Sequence, residues 1–290
     1  MKLSVTVVCL ALSMVNPFRT SAQEWKSGVE WEEPPVVIPG TENRDVPSDA
    51  VVLFDGTSLT QWDGGEQWLV QDGVVIPQLG DIRTKQLFGD IQLHIEWSSP
   101  AEIEGEGQGR GNSGIFLMDR YEVQVLDSWK NTTYFDGQAS GVYKQTPPMV
   151  NAMRKPGEWN TYDIFFTAPV FRTNGDVETP AHVTVVHNGV LTLNHFELMG
   201  PTSYIQAPHY QAHAEKAPIL LQFHRDAVRF RNIWVRELHP PEGRRTQAPF
   251  NIKPKPPAPA ATPDATSLAA PSDTPDEPAE QAPSDDGGEA

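Results

Sequence analysis

Between Val51 and His239 the sequence never sustains a helical period. It is built from short runs in which apolar and polar residues alternate, each closed by a cluster of Gly, Pro, Asn or Asp. The clearest are QLHIEW (Gln92 to Trp97), SGIFLM (Ser113 to Met118), YEVQVLD (Tyr121 to Asp127), YDIFFT (Tyr162 to Thr167), HVTVVHNGVLTL (His182 to Leu193), PILLQFH (Pro218 to His224) and VRFRNIWVREL (Val228 to Leu238). Asn188-Gly189 marks a two-residue hairpin turn, because both residue types accept the positive φ that such a turn needs. Met118 to Tyr121 marks a second tight turn. Many short strands without crossover helices predict an all-β antiparallel sandwich or jelly roll, with short helical pieces near Leu59 and Tyr204.

Strand side chains point alternately to the two faces. Leu93, Ile95 and Trp97 therefore face a core while Gln92, His94 and Glu96 face away from it. Val123 and Val125 face inward, Glu122 and Gln124 outward. Gln222 and His224 share one face, as do Arg229 and Arg231. One polar face is ordinary for a half-solvated antiparallel strand. Four such faces predict, if the strands are neighbours, a single curved trough suited to a hydroxyl-rich ligand.

GRGNSG, from Gly109 to Gly114, fits the spacing G-x-G-x-x-G. A dinucleotide-binding loop follows a strand and opens a helix; this segment leads into a strand, so the match carries no nucleotide site. Read as a loop, its glycines allow close backbone approach. Asn112 then stands at the sheet rim, and Arg110 is placed to reach over the trough as a fixed donor.

The ends of the chain read differently. Lys2 followed by an apolar run to Val15, with Thr20 and Ala22 as small residues before a cut, predicts a signal peptide over residues 1–22. The expectation is a secreted or periplasmic protein with no membrane span after cleavage. The one cysteine, Cys9, lies inside that segment, so a mature chain has no disulfide to rely on. Residues 23–50 are polar and proline-rich, an extended arm that Trp25 and Trp31 are expected to pin. Residues 241–290 are rich in Pro, Ala and acidic residues, a composition that predicts a disordered tail. The formal net charge is −16, with no basic stripe, which points away from nucleic acid as a partner. No metal-ligand set stands out, so no cofactor is expected, although a divalent cation is compatible with the chemistry below.

FDGTSLTQW (Phe54 to Trp62), GRGNSGIFLMDRYEVQVLDS (Gly109 to Ser128), VVHNGVLTLNHFELMGPT (Val185 to Thr202) and PILLQFHRDAVRFRNIWVREL (Pro218 to Leu238) occur in that order. Together they resemble the 3-keto-disaccharide hydrolase domain family over residues 51–240. The resemblance implies a concanavalin-like jelly-roll sandwich and action on glycosides oxidised at carbon 3. Two positions depart from the family pattern: Ser98 stands where an arginine is expected, and Phe223 where an aspartate is expected.

A ketone at carbon 3 acidifies the proton on carbon 2. A base can remove it, the enolate expels the group on carbon 1, and water adds to the resulting enone. Such a site needs a base near carbon 2 and donors at the ketone oxygen. Glu122 is the expected base and His224 the second candidate, or the acid. Arg110, Asn112, Gln124, Gln222, Arg229, Glu96 and His94 are expected to bind the sugar. The other reading of the same trough is a noncatalytic carbohydrate-binding module.

Overall fold

The computed structural model describes residues 25–42 and 45–247; the expected signal peptide and nearly all of the expected tail lie outside these. Two antiparallel sheets carry the fold. The larger has eight strands. Seven run in the spatial order Val190–Glu197, His182–His187, Asn160–Thr167, Ile91–Ser98, Arg229–Glu237, Val74–Ile76, Leu69–Gln71, and Val51–Phe54 also pairs with Arg229–Glu237. The smaller has five, in the order Trp62–Asp63, Ile82–Thr84, Leu220–Leu221, Ser113–Leu117, Tyr121–Val125. The result is the expected all-β sandwich.

The alternating pattern explains why the sheets stack. Leu93, Ile95, Trp97, Tyr162, Ile164 and Phe166 of the large sheet are buried, and so are Ile82, Ile115, Leu117, Tyr121, Val123 and Val125 of the small one. Each fully buried side chain of this size contributes roughly 1.5–3 kcal/mol by leaving water. Tyr162 crosses the core and donates its hydroxyl to the Gln124 carbonyl at 2.9 Å, so the one polar atom it buries is satisfied.

Both expected turns form. Asn188 and Gly189 adopt φ of 53° and 78°, and Met118 and Asp119 adopt 54° and 59°, the pairs of positive values that a tight hairpin requires. The helical pieces fall elsewhere than expected. Single 3-10 turns occupy Gly65–Gln67, Gly107–Gly109 and Phe135–Gly137, while Leu59 lies in irregular chain just before a turn and Tyr204 in a bend.

The chain divides into two units, residues 31–243 and, within the described residues, 25–30 with 244–247. In the smaller unit the Gly28 carbonyl accepts from the amides of Thr246 and Gln247, and Glu30 pairs with Arg244. The stretch Gly243–Arg245, which composition places in the tail, is a short strand paired with Val29–Trp31. The tryptophans do not pin the arm: Trp25 and Trp31 are exposed. The arm of the larger unit is held by polar contacts. Asp49 takes bidentate hydrogen bonds from Arg236, and Ser48 bonds to both backbone groups of Ile38. Among the described residues no helix is long and apolar enough to cross a membrane.

Candidate active site

The four polar faces expected to form one trough belong to two different sheets. Tyr121–Val125 and Leu220–Leu221 flank Ser113–Leu117 in the small sheet, whereas Ile91–Ser98 and Arg229–Glu237 are neighbours in the large one. Each pair keeps its polar side away from the shared core, so the two polar faces look out from opposite layers of the sandwich.

The small-sheet face opens into a cleft of about 720 Å³, within the size range of small-molecule sites. Glu122, Gln124, Gln222 and His224 all line it, on the side where alternation places them, and Asn112 joins them from the glycine loop. Phe116 lies directly opposite Glu122 in the strand register and forms an apolar part of the same floor. Loops raise the walls. Glu122 N donates to the Thr202 hydroxyl at 3.0 Å, and Gln145 bonds to both Met199 and Gly200. Lys144 donates to the Tyr204 carbonyl at 2.9 Å with its ammonium 4.0 Å above the Tyr204 ring.

Glu122 is 6% exposed, and among the described residues no salt bridge reaches it. Burial alone pushes its carboxyl up to about 8, because removing water penalises the charged form. One polar neighbour tempers this: turned nitrogen-first, the Gln124 amide donates to Glu122 Oε1 at 3.1 Å and to the Ser113 carbonyl at 3.0 Å. Gly114 makes room for the carboxylate. A Cβ there would sit 2.4 Å from Glu122 Oε1 and 2.7 Å from the Phe116 ring, so no side chain fits without displacing one of them. Gln222 presents a buried Oε1 with no hydrogen-bond partner among the described residues. His224 stands exposed at the mouth, its Nδ1 3.4 Å from Asp226.

Four expected ligand-binding residues are elsewhere. Arg110 does not reach over the cleft; it is buried, with Nε 2.7 Å from Asp127 and an Nη donating to the Trp129 carbonyl at 2.8 Å, and it ties the glycine loop to residues 127–129. Glu96 and His94 lie on the outer side of the large sheet. There Glu96 accepts from Arg231 at 2.7 Å and Asn232 at 3.0 Å, and His94 bonds Asp163 at 2.7 Å and stacks on Trp234. Arg229 bonds the Ser98 hydroxyl and the Gly157 carbonyl and sits over Trp159. Arg236 and the arm lie on this same outer side, where Pro39, Gly40 and Pro47 share a small cavity with Gln92 and Trp234.

The two departures from the family pattern also miss the cleft. Ser98 is buried against Arg229 on the large sheet, and Phe223 packs against the core while its amide donates to Asp81. Conversely, sequence reasoning passed over Gln108, Tyr134, Tyr143, Lys144, Thr202 and Tyr204, which complete the cleft from loops. No strand period marks such positions. Among the described residues no three His, Cys, Asp or Glu side chains gather as a metal site would need.

A sequence family described as the 3-keto-α-glucoside-1,2-lyase-like domain matches residues 49–236. The chain belongs to this family. A crystal structure of a proposed glycosyl hydrolase from Parabacteroides distasonis is 50% identical, with 72% of this chain and 94% of that one covered at a TM-score of 0.69. A second structure from the same organism, also of a proposed glycosyl hydrolase, is 20% identical over 66% of this chain and 94% of its own, at a TM-score of 0.49. No curated protein matches the chain. Family and fold together match carbohydrate-active enzymes of the hydrolase or lyase kind.

Proposed function

We propose that the small-sheet cleft cleaves glycosides carrying a ketone at carbon 3, by proton abstraction, elimination and hydration, in an exported protein. Glu122 is the base that takes the proton from carbon 2. The reading rests on one observation above all: a buried carboxyl, with no salt bridge from the described residues, faces a sugar-sized cleft in a chain of this family. Its elevated pKa near operating pH combines a useful ionised fraction with a strong drive to accept a proton.

As the carbon 2 proton leaves, negative charge grows on the ketone oxygen. Gln222 and His224, alternate residues on one edge, are the donors assigned to that oxygen, since fixed donors in a poorly solvated site act most strongly where charge develops. Asn112 already donates to the Gln108 carbonyl at 2.7 Å and so is fixed in place; with Gln124 it sets the position of the ring. The Phe116 ring offers an apolar surface for the C–H face of a sugar. The enolate then reforms the ketone, the carbon 1 to oxygen bond breaks, and the enone takes up water. Paired carboxylates at glycosidase spacing are unnecessary on this route.

The test is to incubate the protein with a 3-keto-disaccharide and with its unoxidised parent. The expected result is monosaccharide released from the keto form only, and abolished in Glu122→Gln with the fold intact. Saturable binding without release, by protein of unimpaired fold, would instead identify a carbohydrate-binding module.

A further inference from the structure

We propose that the hydrogen-bonded pair Tyr134–Tyr143 is the acid that protonates the departing oxygen on carbon 1; this rests on the cleavage reading above. The two hydroxyls are 2.6 Å apart, and both residues line the cleft that holds Glu122. Neither strand alternation nor the core needs them. Tyr134 is 40% exposed and Tyr143 half-buried, with the rings edge to face.

The pair is held in place by its two loops. Gly137 lets the Tyr134 ring lie against it: a Cβ there would come within 2.3 Å of Tyr134 Cε2. The Lys144 amide donates to the Asp136 carbonyl at 3.0 Å and so joins the two loops that carry the tyrosines. Lys144, in a left-handed conformation with φ 57°, then turns its side chain across the Tyr204 ring at the far wall.

The chemistry calls for such a pair. A sugar alcohol is a poor leaving group as an alkoxide, so elimination needs a proton delivered as the bond breaks. Burial raises both phenols, the bond within the pair adding to this at Tyr143 and opposing it at Tyr134, so they keep their protons at neutral pH. A lone phenol would be a weak donor for the same reason. Here the phenol that gives up its proton is left as a phenolate accepting a 2.6 Å hydrogen bond from its partner, and a bond to a charged group is about twice as strong as a neutral one.

The atoms balance over one turnover. Glu122 carries the proton from carbon 2, and the carbon 1–carbon 2 double bond forms. The carbon 1–oxygen bond breaks, and the pair's proton goes to the leaving oxygen. In hydration a water oxygen bonds carbon 1, Glu122 returns its proton to carbon 2, and the second water proton restores the tyrosine pair.

The experiment compares wild type, Tyr134→Phe, Tyr143→Phe and His224→Ala on two substrates, a 3-keto-disaccharide and p-nitrophenyl 3-keto-glucoside. The nitrophenolate leaves without help. The expected result is a loss of about 10²-fold or more in kcat on the disaccharide for at least one tyrosine variant. The same variant should lose no more than about three-fold on the aryl substrate, because the missing proton is then not needed. Melting curves matching wild type confirm that the fold is intact. Equal losses on both substrates would reduce the pair to a structural role and overturn the proposal. So would a selective loss in His224→Ala alone, which would hand the role to that ring. Failure of wild type on both substrates would instead bring down the cleavage reading, and this proposal with it.

Discussion

Glu96 and Glu122 hold equivalent places in two strands, each on the face turned away from the shared core and each nearly buried. Their surroundings differ completely. Burial pushes the Glu96 carboxyl up, but the His94 ring 4.0 Å away and hydrogen bonds from Asn232 and Arg231 outweigh this and hold it at about 2. At Glu122 a single amide, from Gln124, only tempers burial, and the carboxyl rises to about 8. The first carboxylate is spent on neighbours that satisfy its lone pairs. The second keeps a lone pair for a ligand, in a fold that would be more stable without its charge. That is the usual signature of a reactive site, where function and stability pull apart.

The sharpest way to break the comparison is to remove each charge in turn. Glu122→Gln should lower kcat/KM on a 3-keto-disaccharide by about 10²–10⁴-fold, the range for a missing general base. Glu96→Gln, measured per folded molecule, should stay within about two-fold of wild type, as it leaves every residue of the cleft in place. Comparable losses in the two variants would erase the distinction.

A smaller effect should appear in stability against pH. Glu122 has a folded-state pKa above its ordinary value of 4.5. Its neutral form therefore favours the folded state fully below about 4.5, and that contribution disappears as pH rises through about 8. Wild type should thus lose up to about 5 kcal/mol relative to Glu122→Gln across that window. Buried His187, lowered to about 3 by burial, runs the opposite way: its contribution is present above 6.5 and lost as pH falls. Because it is common to both proteins, the difference between their denaturation curves isolates Glu122. A flat difference from pH 4.5 to pH 8 would show that Glu122 is not held unpaired.

Gly114→Ala sharpens the contrast by geometry rather than charge. Its Cβ would press on Glu122 Oε1 and Phe116. The backbone there needs no positive φ, so the cost falls on the placement of the carboxylate. Activity should drop about ten-fold or more, since small displacements of a base are expensive. Circular dichroism should remain that of a folded sandwich. An unchanged rate would mean that the carboxylate position does not matter.

What could be read from the sequence follows the same division. Alternation is a local rule, so it correctly sent Glu122, Gln124, Gln222 and His224 away from the core. Sheet membership is not local. Ile91–Ser98 and Arg229–Glu237 pair with each other across more than 130 residues, and no period in either strand says which sheet they join. That is why Glu96, His94 and Arg229 were expected in the cleft and are found behind the opposite layer. A bulge adds a further twist: the register slips between Arg231 and Trp234, so Trp234 turns outward to stack on His94. Arg110 was misread for another reason. Its partner Asp127 is visible in the sequence, but only the fold brings the two within 2.7 Å. The tyrosine and lysine walls come from loops, where side-chain direction has no period at all.

The smallest expected effect concerns what Glu96 contributes to the fold. Replacing it with Gln removes one charge from a cluster in which Arg231 is 37% exposed and also rests 4.0 Å over the Trp159 ring. The amide oxygen can still accept one of the hydrogen bonds now shared by Arg231 and Asn232. Water screens what remains, so the cost at neutral pH should be about 1 kcal/mol rather than the larger figure for a sealed ion pair. The sign with pH is fixed by the lowered pKa. Glu96 stabilises the fold above its ordinary value of 4.5, and this contribution is lost as pH falls toward about 2. The gap between wild type and Glu96→Gln should therefore narrow on the acid side, whereas the gap produced by Glu122→Gln widens on the alkaline side. Denaturant melts at pH 7, 4 and 3 would show it, and a Glu96→Gln gap that stays constant down to pH 3 would mean that the network holds its geometry without needing that charge.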